Sequence, residues 1–204
     1  MKKRKVLWSG LLFTLLLLAL DQITKYLAQR YLPGSRGADV IPGVFQLFYL
    51  ENRGAAFGMM ADRQWFFIIV AFIMMLAAGY VYFKLPLEKH YHFLRAVCVL
   101  IAAGAVGNML DRILHSYVID FLYVSLIDFP VFNLADCYVC VGAALGILAV
   151  FTLYREDDFQ FLFPAKRQTH PSDGSILGDA NRRIRMTQKG EPGKKKREDY
   201  PNEQ

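Results

Sequence analysis

The chain has 204 residues, of which 54% are hydrophobic, and a formal net charge of +6. Its hydrophobic residues are gathered into blocks, which argues against an ordinary soluble domain and predicts a membrane protein. The basic residues cluster on one side of these blocks, so the positive charge does not require a nucleic-acid partner.

Four apolar runs are each close to the roughly 20 residues that cross a ~30 Å hydrocarbon layer. The first run reaches only from Val6 to Leu20 before Asp21, so it needs flanking residues to span. We therefore predict an all-α polytopic membrane protein with four transmembrane helices. The predicted spans are about 6–26, 65–83, 93–110 and 137–154.

The N-terminus resembles a secretory signal peptide, because a basic cluster at 2–5 precedes a leucine-rich run. No small-x-small cleavage site follows Leu20, so we expect an uncleaved signal-anchor. With four spans and the N-terminus inside, 18 of the 24 Lys and Arg residues fall in inside segments. This distribution predicts an N-in, C-in topology.

The first outside loop, 21–64, contains the stretch Ile41–Leu50, which is rich in aromatic and β-branched residues. This composition predicts a small extracytoplasmic β element at the membrane surface. An aromatic belt among the lipid headgroups is an equally good and compatible explanation.

The inside link 84–92 is short, polar and interrupted by Pro86. His90 and His92 lie two residues apart, so they do not share a helix face, and we interpret the link as a solvated turn in preference to a metal site.

The C-terminal part carries the basic run 194–197 and, after Phe163, a single aromatic residue, Tyr200. Such a segment cannot bury a core. We divide the chain into a membrane domain, 1–158, and a basic, disordered cytoplasmic tail, 159–204, which is attracted to anionic membrane lipids.

Polar residues at membrane depth are costly, and here they gather on the predicted outer side. Each has an ordinary structural explanation: Asp21 and Lys25 form an i, i+4 pair, and Asp136 caps the fourth span. Arg112 offers a rigid fork of donors, and Asn108 can orient a neighbour through either amide atom. The polar residues in question are Asp21, Asn52, Asn108, Asp111, Arg112, Asp120, Asn133 and Asp136.

Asp120 and Asp136 stand in one predicted loop between spans three and four, which suggests a functional pair. Two adjacent carboxyl groups share a proton, so one acts as general base and the other as general acid. This is the chemistry of aspartic peptidases, and it needs neither a metal nor a cofactor. Because Asp136 lies near a helix N-terminus, we expect it to ionise more readily and Asp120 to hold the proton.

Cys137 and Cys140 form a C-x-x-C motif, so a membrane thiol-disulfide oxidoreductase is the alternative function. Packing explains these cysteines, and Cys98, equally simply. A zinc site needs two further ligands, and only His115 is near in sequence. A proton-coupled transporter is disfavoured because the acids gather at one surface and not at the midplane.

Five segments, in their order and spacing, resemble the lipoprotein signal peptidases (signal peptidase II), a family of bacterial membrane aspartic peptidases. They are DQITK at 21–25, NRGAAF at 52–57, AGAVGNMLDR at 103–112, VIDF at 118–121 and FNLAD at 132–136. The resemblance covers nearly all of the membrane portion. Ala103 stands where many members have glycine, a departure of one methyl group.

The resemblance implies an endopeptidase of the cytoplasmic (inner) membrane whose site faces outward. It removes signal peptides from diacylglyceryl-modified prolipoproteins, cutting just before the lipidated cysteine, and we expect a monomer without metal or cofactor. Asp120 and Asp136 are the catalytic pair that it implies. The substrate-binding or supporting positions are Asn52, Arg112, Asn108, Asp111, Asn133, Ala135, Gly104, Asp21 and Lys25.

Overall fold

The computed structural model describes residues 2–34, 37–54, 63–159 and 162. Its helices are α1 (Lys2–Tyr31), α2 (Gln64–Lys84), α3 (His92–His115) and α4 (Leu134–Thr152). All four are long and apolar enough to cross a membrane, so the prediction of four spans is confirmed. Most of the predicted tail, 159–204, and part of the motif at 52–57 lie outside the described residues.

The helix that carries the first predicted span is longer than the span itself, because α1 runs from Lys2 to Tyr31. Asp21 therefore lies inside α1. The first outside loop begins after Tyr31, about ten residues later than the predicted start at Asp21. The Asp21 carboxylate is buried and lies 2.9 Å from the ammonium group of Lys25, one turn on. Charges that are paired within a helix need not be exposed to water.

Helix α3 is the centre of the bundle and packs against the other three helices. Close approach to α4 depends on Gly104, where an added Cβ would lie 2.4 Å from the carbonyl oxygen of Ala135. The approach to α1 depends on Gly107, where an added Cβ would lie 2.6 Å from Oδ2 of Asp21. These glycines allow three helices to converge on one end of the bundle.

A three-stranded antiparallel sheet, in the order β1-β2-β3, lies at that end. Strands β1 (Ala38–Ile41) and β2 (Phe45–Asn52) confirm the predicted β element of the first loop. Strand β3 (Val118–Tyr123) was not predicted and pairs Asp120 with Leu50 of β2. Asp120 is therefore fixed on a strand, and does not share a simple loop with Asp136.

The opposite end of the bundle contains the link between α2 and α3. His90 and His92 are exposed, as expected for a solvated turn. Arg95 is buried and donates hydrogen bonds to the carbonyl groups of Pro86 and Leu85, which fixes the turn.

Candidate active site

Five buried polar side chains converge where α1, α3, α4 and the sheet meet. They are almost inaccessible, with exposed fractions of 2% or less. Such burial of polar groups requires mutual pairing, so these side chains form a connected network. Its fully buried members are Asp21, Lys25, Asp111, Asp120 and Asn133.

Asp120 projects from β3 and is 1% exposed. Its two carboxyl oxygens have separate donors: Asn52 Nδ2 lies 2.8 Å from Oδ2, and Asn133 Nδ2 lies 2.6 Å from Oδ1. Asn52 is on β2 and Asn133 precedes α4, so two elements fix the orientation of this carboxyl group.

Asp136 lies in the first turn of α4 and takes part in a capping box with Asn133. The backbone N–H of Asn133 donates to Asp136 Oδ2 over 3.2 Å, and the backbone N–H of Asp136 donates to Asn133 Oδ1 over 3.0 Å. Asn108 Nδ2 donates to Asp136 Oδ1 over 2.7 Å. The expected capping position is confirmed, and the same carboxylate also faces the polar network.

Two asparagines connect the acids. Asn133 Nδ2 is shared between Asp120 Oδ1 and Asn108 Oδ1, at 2.6 and 3.1 Å, and Asn108 in turn donates to Asp136. The chain of hydrogen bonds Asp120–Asn133–Asn108–Asp136 therefore brings together the two carboxyl groups that sequence analysis paired.

Burial, followed by the negative charge of Asp136, raises the pKa of Asp120 to about 7. Hydrogen bonds from Asn52 and Asn133 and the charge of Lys25 oppose this shift by favouring the carboxylate. The balance leaves Asp120 as a carboxyl group that can hold a proton near neutral pH.

Lys25 is 1% exposed and forms the centre of a buried ion cluster. Its ammonium nitrogen lies 2.9 Å from Asp21, 3.0 Å from Asp111 and 3.0 Å from Oδ1 of Asn108. The three contacts satisfy its three donors. The predicted pairing of Asp21 with Lys25 is confirmed, with Asp111 as a second carboxylate partner.

Each carboxylate of this cluster also holds the element that carries one of the paired acids. Asp21 Oδ1 accepts from the backbone N–H of Ala135, next to Asp136, over 2.9 Å. Asp111 Oδ2 accepts from the backbone N–H of Ile119, next to Asp120, over 3.2 Å. The ion cluster thus positions α4 and β3 relative to each other.

Sequence analysis missed Gln22 and Gly107 as members of this network. Gln22 Nε2 lies 3.0 Å from Asp111 Oδ1 and 3.1 Å from Asp21 Oδ2. Gly107 leaves the space that Asp21 occupies. Gln22 lies in the segment 21–25 and Gly107 in the segment 103–112, so the family resemblance could have pointed to both. Ala135, which was predicted, is 0% exposed and, with Gly104, lets α4 approach α3.

Arg112 lies at the rim of the network. Its guanidinium group donates to the carbonyls of Asn108 and Gly54, over 3.2 and 3.4 Å, and stands 4.8 Å from the ring centroid of Phe67. Its Nε is buried and has no hydrogen-bond partner in the part of the chain that the structure describes. A guanidinium held in this way can offer its Nε–H to an incoming group.

The three cysteines are all free thiols. Cys98 is buried, Cys137 is half-buried and Cys140 is exposed on α4. Among the residues that the structure describes, no group of three or more His, Cys, Asp and Glu side chains could hold a metal ion.

The fold and site together define a polytopic membrane protein with a buried pair of linked carboxyl groups at one end of its helices. The family model described as signal peptidase (SPase) II matches residues 13–152. The chain therefore belongs to the signal peptidase II family and is a peptidase. The resemblance seen in its sequence is confirmed, and the thiol oxidoreductase alternative gains no support.

Individual relatives also support membership of this family. The lipoprotein signal peptidases of Streptococcus pyogenes serotype M5 (strain Manfredo) and serotype M18 (strain MGAS8232) are each 37% identical over 160 residues, covering 78% of this chain and 99% of theirs. Two crystal structures described as a bacterial membrane enzyme solved by the in meso method, at 2.3 and 1.9 Å, are also similar. Their TM-scores are 0.63 and 0.61 with 28% and 31% identity, covering 72% and 71% of this chain and 92% and 93% of theirs.

Proposed function

We propose that this protein is an aspartic endopeptidase that removes signal peptides from diacylglyceryl-modified prolipoproteins, cutting just before the lipidated cysteine. Family membership and the names of the relatives support removal of signal peptides from prolipoproteins. The observation that carries the mechanism is the hydrogen-bonded chain that links the carboxyl groups of Asp120 and Asp136 through two asparagines.

In this mechanism Asp120 is the general acid and Asp136 the general base. The Asp136 carboxylate takes a proton from water as the water oxygen attacks the scissile carbonyl carbon, and Asp120 gives its proton to the carbonyl oxygen. Collapse of the tetrahedral intermediate breaks the C–N bond, and the proton held by Asp136 passes to the leaving nitrogen. The regenerated carbonyl returns a proton to Asp120.

The surroundings support this division of roles. The raised pKa of Asp120 lets it hold a proton near pH 7. Asp136 lies in the first turn of α4, where the helix dipole favours a negative charge, and its carboxyl group accepts hydrogen bonds from Asn108 Nδ2 and from the backbone N–H of Asn133. Each correctly placed acid or base typically contributes ~10²- to 10⁴-fold in rate.

Other side chains position the substrate and the acids. Asn52 and Asn133 hold Asp120, and Asn108 holds Asp136. The Nε–H of Arg112, which has no partner among the described residues, suits a backbone carbonyl of the substrate. Asp21, Lys25 and Asp111 fix the elements that carry the pair.

We place the site at the extracytoplasmic face, with both termini inside, because 18 of 24 basic residues fall in the segments assigned to the cytoplasm. A substrate with two acyl chains lies partly in lipid, so a site at the end of the helices gives it access to both lipid and water. We propose that the protein acts as a monomer and that its tail, 159–204, contacts anionic lipids.

A synthetic diacylated peptide that carries the cleavage region of a prolipoprotein tests this function. The purified protein should cut it just before the lipidated cysteine, as read from the product masses, and should leave the matched peptide without the diacylglyceryl group largely intact. Absence of cleavage of the lipidated peptide, or equal cleavage of both, would contradict the proposed substrate.

A further inference from the structure

Among the residues that the structure describes, two buried polar atoms at one corner of the candidate site have no hydrogen-bond partner. They are Oε1 of Gln64, at the start of α2, and Nε of Arg112, in the last turn of α3. A buried acceptor or donor without a partner is unfavourable, typically by the full cost of removing it from water. Unsatisfied groups of opposite hydrogen-bonding type in one region indicate a missing partner.

The two side chains lie at the same corner of the molecule. Gln64 Nε2 donates to the carbonyl of Arg53 over 2.6 Å, and Arg112 Nη2 donates to the carbonyl of Gly54 over 3.4 Å. These carbonyls belong to consecutive residues. Phe67, on the same face of α2 as Gln64 and about one turn later, stacks under the guanidinium group of Arg112.

This corner adjoins the paired acids. The backbone N–H of Gly54 donates to Oδ1 of Asn52 over 3.0 Å, and Nδ2 of the same asparagine donates to Asp120 over 2.8 Å. A group bound between Gln64 and Arg112 therefore lies beside the segment that orients Asp120.

The orientation of the Gln64 amide is fixed by chemistry. The carbonyl of Arg53 can only accept, so the NH₂ group must face it, and Oε1 remains as an acceptor. Arg112 can only donate through Nε. A peptide backbone is the polymer that supplies both complements, with an N–H for Gln64 and a carbonyl for Arg112.

We propose that Gln64 is a substrate-binding residue that accepts a hydrogen bond from a backbone N–H of the bound signal peptide, while Arg112 Nε donates to a nearby backbone carbonyl. This inference rests on the proposed function and adds a specific residue to it. The proposed hydrogen bond from the substrate backbone to Gln64 does not involve a substrate side chain. It can therefore form with prolipoproteins of different sequence.

An amide-to-ester scan of the substrate tests the proposal. A series of diacylated peptides is made in which single backbone N–H groups around the cleavage site, excluding the scissile bond itself, are replaced by ester oxygen. One ester position should lower kcat/KM of the wild-type protein roughly 2- to 10-fold, mainly through KM, the value of one neutral hydrogen bond.

Gln64→Met should lower kcat/KM for the all-amide peptide by a similar factor and should lose discrimination at that ester position. Ser125→Ala is the control that should still discriminate, because it removes a buried hydroxyl that has no hydrogen-bond partner among the described residues and lies in another part of the chain. The ratio of amide to ester rates is measured within each protein, so partial loss of folded enzyme does not affect it.

If Gln64→Met discriminates against the same ester as strongly as the wild type, or if no ester position affects the wild type, the proposed role of Gln64 is wrong. Cleavage of the all-amide peptide by the wild type in that experiment would leave the proposed function standing. Failure of the wild type to cut the all-amide peptide would overturn the proposed function and, with it, this inference.

Discussion

Oδ1 of Asp21 accepts a hydrogen bond of 2.9 Å from the backbone N–H of Ala135, which lies 114 residues later in the chain. The bond joins the middle of α1 to the first turn of α4, immediately before Asp136. The carboxylate is buried and shares Lys25 with Asp111. The position of one proposed catalytic acid thus depends on an ion cluster on other helices.

Lys25→Met should destabilise the protein strongly, because it leaves two buried carboxylates without their cation. Breaking a buried ion pair by removing one partner typically costs about 3–5 kcal/mol. The melting temperature of the purified protein in detergent should fall by roughly 6–20 °C for a chain of this size. Glu51→Gln is the matched control, because its ion pair with Arg53 spans 3.7 Å between exposed side chains and contributes less than ~1 kcal/mol. Equal melting temperatures of the two variants would show that the cluster does not stabilise the fold.

Gly104→Ala should disturb the approach of α4 to α3, because the new Cβ would lie 2.4 Å from the carbonyl oxygen of Ala135 and 2.7 Å from Cγ2 of Val139. Overpacking of this kind typically costs about 1–3 kcal/mol, and here it also moves the turn that carries Asp136. We expect lower thermal stability and a loss of peptidase activity. Gly79→Ala is the control, since its Cβ would have no neighbour within 4 Å, and it should behave like the wild type. A Gly104→Ala variant as active as Gly79→Ala would argue against close packing at this point.

The kcat/KM of peptide cleavage should fall at alkaline pH. Burial and the charge of Asp136 raise the pKa of Asp120 to about 7, so Asp120 keeps its proton below that value and loses it as the pH rises through it. If Asp120 is the acid, kcat/KM should fall about tenfold per pH unit above this point. Asn52 favours the carboxylate, so Asn52→Leu should move this decline to higher pH, whatever its effect on the maximal rate. A decline that stays in place or moves to lower pH would contradict the assigned role of the Asn52 hydrogen bond.

The double variant Cys137→Ala/Cys140→Ala should retain peptidase activity within about twofold. Cys137 is half-buried and Cys140 is exposed, and neither makes a disulfide. Their replacement therefore removes little packing and no group of the polar network. Cleavage assays with and without a reductant measure the effect, and complete loss of activity would return attention to a redox role.

Composition and hydrophobic patterning predicted the four helices well, because a membrane span needs only length and apolar character. They did not locate the end of α1. The pairing of Asp21 with Lys25 was predicted, but the burial of that pair against Asp111 of α3, which lets α1 continue past position 21 inside the bundle, is evident only in three dimensions. The pairing of β3 with β2 was missed for a similar reason, since it joins segments about 70 residues apart.

The members of the site were predicted largely from the resemblance to a known family, while their connections were not. Spacing does not show that Asn133 bonds to Asp120 and Asn108 at once, or that Gln22 contacts two carboxylates. Gln64 carried no sequence signal for a role in the site. Its unused acceptor is visible only because its amide is anchored on the carbonyl of Arg53.

The most direct test of the central claim compares cleavage of the diacylated peptide by the wild type, Asp120→Asn and Asp136→Asn. Each of these two variants should lose at least ~10²-fold in kcat/KM while inserting in the membrane in normal amounts, because it removes a general acid or base. Asp128→Asn is the control: its side chain is exposed, and its positive φ of 48° suits asparagine. Near-normal cleavage by either Asp120→Asn or Asp136→Asn would contradict the paired-acid mechanism.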